Sequence, residues 1–215
     1  MVPRRNKTVA SRLVLAAAGL LLLGATVEAT AQAQAQVQIV AVGDSNIRGK
    51  GVPDNDTYPA KLERALREKG HRVVVTNAGV NGDTTTGMLN RLDTAVPPGT
   101  QIVILSAGAN DALFGIEQAS TAANINAMLS RLRGRNIGVL YFGALNRQSN
   151  PARRAEMEAM GVVVMAALQY GIADDPKLHV EEIKKPGQYH LNAAGYDIVV
   201  ARTLPMVEDL IAKVK

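Results

Sequence analysis

The sequence predicts an α/β protein: a three-layer α/β/α sandwich around a five-stranded parallel sheet, wound like flavodoxin. Three observations carry this. Short apolar runs alternate with helix-period stripes from residue 38 to the end of the chain. Aliphatic residues are plentiful and aromatics make up only 3%, which suits a core of valine, leucine and alanine. The length, 215 residues, fits one domain. Strands that alternate with helices form parallel sheets covered on both faces, and right-handed crossovers then favour double winding.

The first strand is expected at 38–42, where Ile39 to Val42 read as a buried strand. It ends at Gly43-Asp44-Ser45. Pro59 opens a helix in its first turn; Leu62 and Leu66 sit one turn apart, Glu63 faces Arg67, and Gly70 ends it. The second strand follows at 72–76. Asp83 or Thr84 caps the next helix, with Met88, Leu89 and Leu92 on one face and Pro97-Pro98 as the stop. After a third strand at 101–106, Ile125, Met128, Leu129 and Leu132 form an i, i+3, i+4, i+7 stripe before Gly134. The fourth strand is expected at 138–142. A helix beginning at Asn150-Pro151 is expected to reach Gly171, with Met157, Met160, Val164 and Leu168 as its core stripe. The fifth strand, the weakest in pattern, is placed at 178–183. Asn192 caps the last helix, which runs to the C-terminus with a kink at Pro205.

The N-terminus reads as a secretory signal peptide outside the fold. Arg4, Arg5, Lys7 and Arg12 form a basic region, Leu13 to Ala25 is an apolar and glycine run, and Ala29-Thr30-Ala31 is a small-x-small cleavage site, with Ala33 and Ala35 as further candidates. The run is shorter than the roughly 18 residues of a membrane span, so no anchor is expected after cleavage. The expected organisation is a signal at 1–31, a flexible leader at 32–36 and one domain at 37–215, delivered to the periplasm or the medium. Residues 1–31 hold four basic groups and one acid, which leaves the rest of the chain near +2 of a formal +5. That charge is too weak to argue for nucleic acid. The absence of cysteine excludes disulfides, zinc–thiolate sites and a cysteine nucleophile. A monomer is expected, since no extra apolar face stands out.

The chemistry concentrates in loops after three strands. The first holds Gly43-Asp44-Ser45-Asn46, the second runs from Asn77 through Gly82 and Asp83 to Thr84, and the third is Ala107-Gly108-Ala109-Asn110-Asp111. In a doubly wound sheet they share the carboxyl edge, where such folds bind ligands. A serine there needs a base to become a nucleophile, and His190, one of three histidines, comes from the loop before the last helix. Glycines let the backbone approach a ligand and free N–H groups face an anion. An asparagine amide adds a donor, so together the loops can form an oxyanion hole near Ser45.

Four pieces in order, Gly43-Asp44-Ser45, Gly82 in Asn-Gly-Asp-Thr, Asn110 in Gly-Ala-Asn-Asp and His190 in His-Leu-Asn-Ala-Ala-Gly-Tyr, resemble the SGNH, or GDSL-type, hydrolase superfamily. The resemblance runs from about residue 38 to the C-terminus and is nearest the small secreted bacterial thioesterases, lysophospholipases and arylesterases. It implies a serine esterase acting on a small carboxylic ester or thioester, such as an acyl ester or lysophospholipid, through an acyl-serine intermediate, with no metal or organic cofactor. Ser45 would be the nucleophile and His190 the general base. The N–H groups of Ser45 and Gly82 and the Asn110 amide would form the oxyanion hole. Arg147 to Arg154 and Phe114 to Gln118 would rim the pocket.

Two residues depart from the family pattern. Leucine usually follows the serine, and here it is Asn46. An aspartate usually stands three residues before the histidine, and here it is Gly187. That acid orients the imidazole, and its replacement by an amide in a serine protease costs about 10⁴ in rate. His190 would instead be held by a backbone carbonyl, or by Glu181 or Glu182. The alternatives are a degenerate domain that binds acyl or acetylated glycan ligands without cleaving them, or an acyltransferase.

Plainer readings compete. Ser45 alone is equally a turn or cap residue. Asp44 and Asp111 read as loop-bracing carboxylates, and His71 and His179 as structural. A P-loop fails, because five residues rather than four separate Gly43 from Gly49-Lys50, and Gly51 follows. A nucleophile elbow fails because Ile47, not glycine, stands two residues after Ser45.

Overall fold

In a computed structural model, residues 36–143, 151–180 and 189–214 are described. The expected signal (1–31) and all of the expected leader (32–36) but Gln36, together with Arg147, Glu181, Glu182 and Gly187, lie outside them. Five parallel strands, β1 Val37–Gly43, β2 Val73–Gly79, β3 Ile102–Ala107, β4 Gly138–Gly143 and β5 Val163–Met165, form one sheet in the order β2-β1-β3-β4-β5. The reversal between β1 and β3 makes the doubly wound switch point, and ligands bind such sheets there.

The helices are α1 Ser45–Arg48, α2 Tyr58–Glu68, α3 Thr85–Ala95, α4 Ala109–Leu113, α5 Gln118–Gly134, α6 Pro151–Ala159 and α7 Ala193–Lys213. Their starts are local chemistry. Thr57 caps α2 with Pro59 in its first turn, Thr84 caps α3 through the Gly87 N–H, and Asn192 caps α7 through the Gly195 N–H. Each cap oxygen accepts from an N–H that has no partner inside the helix. The α7 helix continues through Pro205 to Lys213.

The core is two apolar layers, one on each sheet face. On one face α2 and α7 bring Tyr58, Leu62, Leu66, Tyr196 and Val207 against Ile39, Ile104 and Phe142. The Tyr58 and Phe142 rings meet edge to face at 5.7 Å and 83°. On the other face α3 and α5 bring Met88, Leu92, Met128 and Leu132 against Val40, Val103 and Val139. The β2 strand is an edge, and α2 covers its free groups. Glu63 Oε2 accepts from the Val75 N–H at 2.7 Å and Arg67 Nε donates to Val73 O at 3.1 Å, which blunts pairing with another strand.

Two expectations are corrected. The fourth helix stops at Ala159, well short of Gly171, because Gly161 takes φ +77° and the β-branched run Val162-Val163-Val164 then extends as β5. Met157, Val164 and Leu168 are buried, but no single helix carries them, and Leu168 packs on the opposite sheet face. The segment placed as strand 178–183 is a 3₁₀ turn, Pro176–Leu178, followed by a single antiparallel bridge between His179 and Leu191; residues 181–183 lie outside the described residues. Pro176 fixes the turn's first position and Asp175 caps it. The short helices α1 and α4 carry no apolar periodicity and were not expected.

Candidate active site

Gly43 ends β1 beside Gly79 of β2 and Ser106 of β3. A Cβ on Gly43 would stand 2.9 Å from Ser106 O and collide with Ile47, so only glycine lets the chain turn here. Asp44 then caps α1, accepting from the Asn46 N–H at 2.8 Å and Asn46 Nδ2 at 3.1 Å. Burial pushes the Asp44 carboxyl above the ordinary carboxylate range, against the opposing pull of the Asn46 bonds. Ser45 is therefore the first residue of a helix turn at the sheet's carboxyl edge, its backbone held from both sides. The Gly43 carbonyl accepts from the Val80 N–H and Arg91, and Tyr196 Oη of α7 donates to Asn46 O at 2.8 Å.

His190 comes from the segment before α7, 145 residues along the chain, and its Nε2 lies 2.7 Å from Ser45 Oγ. With Nε2 accepting the hydroxyl proton, the ring's own proton sits on Nδ1. Nδ1 is buried, and among the described residues it has no hydrogen-bond partner. Burial and the charge of Lys50 lower the imidazole pKa below its ordinary value, so the ring is the neutral base form at pH 7.

The donor side is tied together loop by loop. Gly82 takes φ +74° in the turn after β2, a conformation that favours glycine, with open space where a Cβ would stand. Arg91 Nε binds Asp83 at 2.7 Å while its Nη2 donates to Gly43 O at 3.2 Å, joining the second loop to the end of the nucleophile strand. Asn110 Nδ2 donates to Asp83 O at 2.8 Å, which uses one amide proton and leaves the second for a ligand. Asp111 is buried, accepting from the Thr85 N–H at 2.9 Å, from Thr85 Oγ1 and from Thr121 Oγ1 at 3.2 Å. Asp44 and Asp111 thus brace loops, and neither touches His190. His71 bonds Glu208 at 3.0 Å, away from the site.

Residues with no motif signal complete the arrangement, Arg91, Tyr189 and Gln169, together with Tyr196, whose bond to Asn46 the motif did not reveal. Beneath them lies a cavity of about 70 Å³ walled by Asn46, Ser106, Ala109, Phe142, Leu168 and Gln169. It shares Phe142 and Leu168 with an apolar cavity of about 310 Å³ under α7. A cavity of about 880 Å³ along the β2 edge holds neither Ser45 nor His190; paired charges such as Glu63 and Arg67 line it, and it supplies no nucleophile–base pair. Among the described residues no cluster of three histidine or acidic side chains could hold a metal ion, and no helix is long and apolar enough to cross a membrane.

A doubly wound α/β/α sheet with a serine–imidazole pair at its switch point and with Gly82 and Asn110 in the loops after its neighbouring strands has the architecture of the SGNH hydrolases. The GDSL-like lipase/acylhydrolase family model matches residues 41–198, and the chain belongs to that family. It is 32% identical to an arylesterase of Vibrio mimicus over 104 residues and 35% identical to esterase TesA of Pseudomonas aeruginosa over 106. Each match spans about half of either chain, 48% and 49% of this one against 52% and 53% of those relatives. The crystal structure of AlinE4, an SGNH-hydrolase family esterase, superposes with a TM-score of 0.61 at 29% identity, covering 81% of this chain and 96% of that one. A structure of TesA shares the fold with a TM-score of 0.67 at 22% identity over 80% and 99% of the two chains.

Proposed function

We propose that this chain is an exported serine esterase that hydrolyses small carboxylic esters or thioesters, acyl esters and lysophospholipids among them. The observation that carries the reading is the 2.7 Å contact between Ser45 Oγ and His190 Nε2. The family membership and the esterase relatives support the reaction class, and the basic, apolar and small-x-small pattern of residues 1–31 supports export.

Ser45 Oγ attacks the ester carbonyl carbon as His190 Nε2 takes the hydroxyl proton. The carbonyl oxygen becomes an oxyanion that accepts from the Ser45 and Gly82 N–H groups and the free Asn110 amide proton. Collapse expels the alcohol or thiol, which leaves with the proton from His190. Water then attacks the acyl-serine, His190 again acts as base, and the carboxylic acid departs as Ser45 recovers its proton. The Leu113 and Phe114 side chains, exposed just beyond Asn110, suit contact with an apolar part of the substrate.

Labelling by a fluorophosphonate, mapped to Ser45 and matched by turnover of short p-nitrophenyl esters, is the expected result. Absence of both overturns the reading. A second reading, ligand binding without cleavage, is motivated by Gly187, which supplies no carboxylate three residues before His190. A large gain of turnover in Gly187→Asp from a near-zero baseline supports that second reading, and little change supports a working Ser–His pair.

A further inference from the structure

The imidazole of His190 has to be aimed at Ser45 by something. Among the described residues nothing bonds its Nδ1, and the hydrogen bonds those residues do make around it run to its main chain. On one side Val180 N–H donates to His190 O at 3.0 Å and Asn192 N–H donates to Leu178 O at 2.8 Å, while the Tyr189 ring stacks on His179 at 4.6 Å. These bonds tie the base segment to residues 178–180. They do not reach the nucleophile.

Tyr196 Oη, in the first turn of α7, reaches Asn46 O at 2.8 Å, and a second side chain bridges directly to the residue before His190. Gln169, in the segment after β5, places Nε2 2.7 Å from Asn46 Oδ1 and 2.6 Å from Tyr189 O. Its two amide protons each have one acceptor. One acceptor belongs to the residue after Ser45 and the other to the residue before His190. The acceptor on the serine side exists only because position 46 is asparagine. Its own Nδ2 is held by Asp44 and its carbonyl by Tyr196, so Asn46 is a fixed post. Leucine there offers no acceptor.

We propose that Gln169 is a positioning residue that straps the base segment to the nucleophile turn through Asn46, setting the Ser45–His190 distance in this chain. The two departures from the family pattern are then linked. Where Gly187 supplies no carboxylate, a hydrogen-bond bridge at Asn46 fixes the imidazole through its backbone. The strap does not touch substrate, so it acts on the rate of the serine attack and not on substrate affinity. It also keeps the ring in its buried position, which contributes to its lowered pKa.

This inference rests on the esterase reading, and the experiment separates the two. Gln169→Met keeps the side-chain length and removes both donors. With p-nitrophenyl acetate, kcat should fall about 10-fold, KM should stay within about twofold, and fluorophosphonate labelling of Ser45 should slow in parallel. The acid limb of the kcat/KM profile should move up toward the ordinary imidazole value as the ring is released into solvent. Asn46→Leu, the second variant, should give the same kcat loss. The double variant should be no worse than the poorer single, because both remove one bridge. Gln169→Lys, which restores donors, should recover part of kcat. A folded Gln169→Met or Asn46→Leu protein with kcat within twofold of wild type, or with a loss confined to KM, overturns the strap. A wild-type protein that neither turns over ester nor takes the label overturns the esterase reading itself.

Discussion

The two halves of the site are built by different means. The donor side, the loops after β1, β2 and β3, is held by buried or half-buried charges. Asp111 gathers the starts of α3 and α5, Asp83 and Arg91 join the Gly82 turn to Gly43, and Asp44 caps α1. Among the described residues the base side, around His190, is held by backbone bonds to 178–180, by the neutral amides of Asn192 and Gln169 and by the Tyr196 hydroxyl. Hydrogen bonds to charged groups are worth about 1.5–3 kcal/mol, against about 0.5–1.5 kcal/mol for neutral ones. The donor side is therefore the stiffer frame. Among the described residues the base side carries uncharged and therefore weaker ties, and its geometry is the more sensitive to single substitutions outside the motifs.

Experiments can break or sharpen that contrast. The largest expected effect spans both sides: Ser45→Ala or His190→Ala should lower kcat at least about 10³-fold with ester substrates, as removal of one member of a nucleophile–base unit does. Unchanged steady-state turnover in either variant would remove the contact between the halves as the source of activity. Asn110→Ala should cost about 10²–10³ in kcat, the loss seen when one oxyanion donor goes, with KM little changed. Asp111→Ala tests the frame. It leaves Thr85 and Thr121 donors without their shared acceptor, so denaturant unfolding should reveal a loss of about 2–4 kcal/mol; a loss below about 1 kcal/mol would remove the buried carboxylates as the reason for the stiffness.

The smallest effect is electrostatic and belongs to the base side. In the proposed mechanism His190 works in its neutral form, and its pKa is lowered by burial and by the charge of Lys50. Activity should therefore rise with pH along an acid limb that lies below about 6.5, the ordinary imidazole value. Removing the positive charge in Lys50→Ala favours the imidazolium, so that limb should move up, by less at high salt. A limb that moves down would refute the assigned sign.

The residues on the donor side could be read as motifs. Gly43-Asp44-Ser45, Gly82 and Asn110 each follow an apolar strand run, and a strand end with a glycine turn is a local signal. His190 could be read because Asn192 and the apolar period of α7 mark where the loop before the helix must be. The ties between these residues could not be read. Arg91 looks like an ordinary charged residue on α3, and Gln169 lies in a stretch where the sequence suggests helix. The misplaced fifth strand has the same origin. Val163–Met165 is three residues long, too short for an alternation to declare itself, and a single glycine such as Gly161 inside a helical pattern does not by itself mark the helix end.

Local stereochemistry fixed the helix caps, the alternation of strand and helix and the glycine that turns the chain before Ser45. Each depends on neighbours within one or two turns, and propensity and pattern act at that range. The 2.7 Å approach of Ser45 to His190 across 145 residues, and the Gln169 bridge to Asn46 across 123, were decided by how α7 and the segment after β5 settle on the sheet. A hydrogen bond forms or fails over a few tenths of an ångström, and such distances are set by packed side-chain volumes and strand register summed over the whole core.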